Sequence, residues 1–90
     1  MEPHYFFPPA RAYPLNRFLF ALKSDDAARA RYLVDPEVTM REAGLDAEAG
    51  AALRQLDRDR LVACGAHPYL VFMAGLHLRM SREPAAFERF

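Results

Sequence analysis

Three histidines, one cysteine and an excess of arginine are the residues of this 90-residue chain with the most chemistry to offer. A metal site needs imidazoles and carboxylates brought together on one helix face or at one loop. His67 and His77 stand apart with no Asp or Glu between them, and His4 lies far away in a proline-rich stretch, so the spacing supplies no ligand set. His67, just ahead of Pro68, reads as a helix cap or turn residue. His77 falls on the apolar stripe of the longest helical segment, where a hydrogen-bonded core role competes with a role facing a partner's site. Cys64 sits near a predicted helix C-terminus, where the dipole disfavours a thiolate, so it reads as a small buried hydrophobe. One cysteine makes neither an internal disulfide nor a cysteine-based zinc site. No Gly-x-Ser-x-Gly, P-loop or Gly-x-Gly-x-x-Gly occurs, and nothing assembles a nucleophile, a base and an orienting group. Arg11, Arg17, Arg79 and Arg82 are able to pair with carboxylate or phosphate, but at this number they read as solvated surface groups.

The elements that position these residues are helices. Residues 1–12 have no period and set Tyr5, Phe6 and Phe7 between prolines, so they read as an extended arm whose rings must lie on this chain's own helices or on a partner. A helix is predicted over Pro14–Lys23, with Leu15, Phe18, Leu19 and Leu22 as its stripe, Phe20 off it, and Asn16 and Arg17 at the rim. Ser24 is the expected cap of a second helix, which ends before Pro36. Asp35 caps a third helix that stops at Gly44, and Asp46 caps a fourth. After the charged corner 57–60, a short fifth helix is predicted over Asp59–Cys64. The longest runs from Pro68 to about Ser81, with Leu70, Met73, Ala74, His77 and Leu78 as its stripe. Gly75 interrupts that helix at a cost of about 1 kcal/mol against Ala. Close packing on another helix, or the approach of a ligand or partner backbone, accounts for it. With no strict alternation anywhere, the fold class is all-α: a single compact multihelical domain of about six short helices, residues 13–90, behind the arm 1–12.

Composition narrows the function classes. Twelve basic and twelve acidic residues give a formal net charge of zero. Arg17, Arg29, Arg31 and Arg41 offer contacts to phosphate, but nine acids in residues 24–60 argue against a nucleic-acid interface. No run is long and apolar enough for a membrane span, and no basic-then-apolar leader opens the chain, so a cytoplasmic protein is expected. At this size there is little room for a deep cleft with its own supporting shell. The profile is that of an interaction module or a small subunit.

The ordered segments resemble a known family. Tyr13 to Phe20 (YPLNRFLF), Ala28 to Glu37 (ARARYLVDPE), Glu42 to Leu45 (EAGL) and Leu56 to Leu70 (LDRDRLVACGAHPYL) are similar to the small, α-type subunits of protocatechuate 4,5-dioxygenases, the LigA family of aromatic-ring-opening dioxygenases. The resemblance covers about Tyr13 to Leu78 and rests on the order of the set rather than on one motif. It implies a multihelical fold and a larger, β-type partner subunit that holds a non-haem Fe(II) through two His and a Glu. In that arrangement the present chain binds no cofactor and caps a site that cleaves catecholic aromatics. Tyr69, Phe72, Met73 and His77 are then the expected partner-facing or substrate-pocket wall, with Asn16 and Arg17 at its rim. The alternative is a stand-alone helical interaction or homo-oligomerising module of the same fold, without dioxygenase activity.

Overall fold

A computed structural model of the protein describes residues 12–82. Six helices follow one another: α1 (Tyr13–Ser24), α2 (Asp26–Val34), α3 (Pro36–Glu42), α4 (Ala47–Arg54), α5 (Arg58–Ala63) and α6 (Pro68–Arg82). No strand occurs among the described residues, so the chain is all-α as its periodicity predicts. The arm's Tyr5, Phe6 and Phe7 and the tail beyond Arg82 lie outside the described residues. Ala12, taken above as the end of the arm, is buried at the head of α1.

Four of the six helices begin on an aspartate. Asp25, Asp35, Asp46 and Asp57 each accept a hydrogen bond from a backbone N–H of the first turn that follows. The carboxylate satisfies an otherwise unpaired donor and meets the positive end of the helix dipole. Two boundaries differ from expectation for this reason. The cap of α2 is Asp25, not Ser24: its carboxylate accepts from Ala27 and Ala28 at 2.9 and 3.2 Å, and Ser24 stays in α1. Likewise Asp57 takes the amide of Arg60, so α5 starts a residue earlier than Asp59.

Three helices end in the same corner. In each, a residue with positive φ follows the helix, and the next amide reaches back to the carbonyl five residues earlier. Gly44 (φ 84°) and Gly65 (φ 102°) close α3 and α5 in this way, with Leu45 donating to Met40 and Ala66 to Leu61. Leu56 (φ 51°) closes α4, with Asp57 donating to Ala52 at 2.9 Å. A leucine tolerates this conformation poorly. Its half-buried side chain packs on the core, and that contact offsets the backbone cost.

The core gathers Leu15, Phe18, Leu19 and Leu22 of α1, Tyr32 of α2, Met40 of α3, Ala49, Ala52 and Leu53 of α4, Leu61 of α5, and Val71, Ala74 and Leu78 of α6. Phe18 and Tyr32 meet edge to face, with centroids 5.7 Å apart. The stripe of α1 is the expected one. That of α6 is turned by one residue: Val71, Ala74, Gly75 and Leu78 are buried, while Leu70, Met73 and His77 are half-buried at its flank. Gly50 is buried in α4 beside Met40, and a Cβ there would sit in ordinary contact with the Met40 sulfur at 3.6 Å.

The Leu56 corner yields an order of variants opposite to the usual one. Leu56→Ala keeps the strained backbone and loses the packing, so it should destabilise the chain by about 1–2 kcal/mol. Leu56→Gly should be the milder change, because it relieves the backbone as it removes the side chain. Urea midpoints of the two variants check this; Gly falling below Ala would contradict it.

Candidate functional site

Where α1 and α6 lie relative to each other is settled at their two ends. At the head, Asn16 spends its whole amide on this chain's own backbone. Its Oδ1 accepts from the His67 amide at 2.7 Å, and its Nδ2 donates to the carbonyls of Gly65 (3.0 Å) and Ala12 (3.2 Å). At the foot, the nearly buried Arg29 donates to the Leu22 carbonyl at 2.7 Å and to Ser81 Oγ at 3.2 Å, and pairs with Asp26. The helices therefore start together, end together and run side by side in the same direction.

That arrangement sets their outward faces next to each other. Four rings stand on them: Tyr13 (63% exposed) and Phe20 (54%) on α1, and Tyr69 (54%) and Phe72 (57%) on α6, with Met80 beyond. Tyr13 and Phe20 are seven residues apart, two helical turns, and so fall on one line. Exposed Arg17 stands between them, its guanidinium 5.9 Å from the Tyr13 ring centroid. Lys23 places its ammonium 4.9 Å from the centroid of Phe20.

Of the residues singled out from the sequence, Arg17, Tyr69 and Phe72 lie on this surface, and Met73 and His77 are half-buried on α6. Asn16 is half-buried, and all its polar atoms are engaged within the chain. Tyr13 and Phe20 belong to the surface and were not singled out. Their seven-residue spacing, with Phe20 off the buried stripe, was the available signal. His67 caps α6 by accepting the Tyr69 amide on its Nδ1 at 3.1 Å. Among the described residues no group of three His, Cys, Asp or Glu is placed to hold a metal.

One enclosed cleft, of about 130 Å³, lies between α1, α4 and α5 and is lined by Pro14, Leu15, Ala49 and Cys64. It is smaller than the roughly 300–1,000 Å³ of small-molecule sites. An open groove of about 520 Å³ runs along α2 and α3 past Val34 and Val38, away from the four rings. Gly75 is not pressed against another helix: a Cβ there would meet only the Arg79 guanidinium, at 3.5 Å. Among the described residues no helix is long and apolar enough to cross a membrane.

The family model described as "Aromatic-ring-opening dioxygenase LigAB, LigA subunit" matches residues 15–87. No curated protein and no solved structure matches the chain.

Substitutions at two positions test the geometry. Asn16→Ala leaves the His67 amide and the Gly65 carbonyl without a partner and should cost about 2–3 kcal/mol of unfolding free energy. Asn16→Asp should cost a similar amount, because a carboxylate cannot donate to Gly65. Gly75→Ala should instead stabilise the chain by about 1 kcal/mol, since the helix gains and nothing is displaced. Denaturant titrations read both; a silent Asn16→Ala, or a destabilising Gly75→Ala, would contradict the arrangement.

Proposed function

The chain belongs to the LigA family of aromatic-ring-opening dioxygenase subunits, and we propose that it is the non-catalytic small subunit of a heteromeric Fe(II) extradiol dioxygenase. In this reading it caps the active site of a large, iron-binding subunit that cleaves catecholic aromatics. The observation that carries the reading is the outward face of α1 and α6, where four aromatic side chains remain more than half exposed on a chain of 90 residues. Exposed aromatic side chains of this kind are enriched where subunits meet.

The iron of the large subunit supplies the binding and activation of the catecholic substrate and O₂. The contribution of this chain is mechanical and dielectric. Two parallel helices, pinned to each other at both ends, form a stiff plate. Laid over the mouth of a site, its rings displace water. Exclusion of water strengthens the electrostatic interactions beneath it and protects reactive intermediates from hydrolysis. Tyr69, Phe72 and Met73 are the proposed wall residues on α6, with His77 at the flank and Arg17 at the rim on α1. Asn16 serves this wall by holding α1 against the start of α6.

Co-expression with the LigB-type large subunit tests the role. Ring cleavage of a catecholic acid, followed by the absorbance of the ring-opened product, should fall about tenfold or more in kcat/KM when the small chain is left out. Equal rates with and without it would remove the capping role. If the purified chain sediments as a stable dimer and forms no complex with the large subunit, the stand-alone module is the better account.

A further inference from the structure

The charges of this neutral chain are sorted by position. All nine carboxylates of residues 12–82 fall between Asp25 and Asp59, on α2 to α5 and their joints. Neither α1 nor α6 contains an Asp or Glu; their charged residues are Arg17, Lys23, Arg79 and Arg82. Arg17 and Arg79 are exposed, and Lys23 is half-exposed. Two of these cations lie against exposed rings, Arg17 at Tyr13 and Lys23 at Phe20. Among the described residues, the two helices that leave four rings in water thus carry no negative charge, while the formal net charge of the chain is zero.

The area is that of an interface centre. A buried aromatic side chain covers about 150–250 Å², and each of the four rings is a little over half exposed. Together they offer on the order of 400 Å², about half of what one partner contributes to a standard interface.

We propose that the outward face of α1 and α6 docks a protein surface that is apolar at its centre and rimmed by Asp and Glu, and that the same charge pattern keeps two copies of this chain from pairing through it. The inference rests on the reading of the chain as a small subunit, and it specifies the chemistry of the patch on the large one. Charge complementarity selects the occupant. A second copy would set Arg17, Lys23 and Arg79 against themselves, and like charges facing each other oppose association. An acidic rim would pair with these cations as the rings are desolvated. Membership of a subunit family favours a protein over an anionic membrane as the source of that negative charge.

The test uses the full chain and the LigB-type large subunit, with association followed by surface plasmon resonance at low and high salt. The triple variant Arg17→Glu/Lys23→Glu/Arg79→Glu reverses the rim. Arg31→Glu/Arg41→Glu/Arg58→Glu makes the same change in net charge on α2, α3 and α5. The first should slow association about tenfold or more at low salt, with the difference narrowing as salt rises. The second should stay within about twofold of wild type. Circular dichroism confirms folding, and Arg17→Ala/Arg79→Ala gives a smaller effect in the same direction if the triple variant fails to fold. If wild type binds and the two triple variants behave alike, the charge inference is overturned while the subunit reading stands. If wild type forms no complex, the subunit reading fails and this inference with it. Wild-type chain that dimerises at low salt, or that binds phosphatidylserine vesicles in a way the first triple variant abolishes, also overturns it.

Discussion

The arrangement turns on one side-chain amide. Asn16 both donates to and accepts from the backbone between α5 and α6, and so fixes where the last helix begins relative to the first. Its Oδ1 takes the amide of His67, and the His67 ring in turn takes the amide of Tyr69. Two successive donors at the start of α6 are therefore satisfied by a short relay that begins on α1. Arg29 closes the other end by joining the end of α1 to Ser81. With both ends tied, α1 and α6 have little freedom to slide or splay. Their outward sides carry the four exposed rings.

That surface follows from how little interior a short chain can make. A domain of this size buries roughly 60–65% of the surface its unfolded chain exposes. Leu, Val and Ala fill the inner stripes, and the larger rings at Tyr13, Phe20, Tyr69 and Phe72 are left outside. Membership of the LigA family implies a LigB-type partner subunit in general. Among the described residues the carboxylates all fall on α2 to α5 and their joints, and none on α1 or α6.

The short helices are defined mainly at their ends. Asp caps start α2 to α5, and three left-handed corners stop α3, α4 and α5. Local chemistry of this sort is readable from sequence. Gly44, Pro36 and the aspartates marked boundaries to within a residue or two. Leu56 was not readable, because its left-handed backbone is held by packing against residues distant in the chain rather than by its own preference. The one-residue turn of the α6 stripe has the same origin. Leu70 and Val71 are equally apolar, and only the position of α1 and α5 decides which of them faces inward.

The sequence by itself determined the helical class, six segments in order and the family, because period, caps and glycine corners act over a few residues. Of the candidate site, Tyr69, Phe72 and Arg17 were legible as candidates and are exposed, and the seven-residue spacing of Tyr13 and Phe20 was present to be read. Only the tertiary structure decided that the Asn16 amide is engaged within the chain, and that α1 and α6, far apart in sequence, lie side by side. Both depend on hydrogen bonds that span about fifty residues. No local pattern encodes such pairings; they exist once the chain has closed on itself.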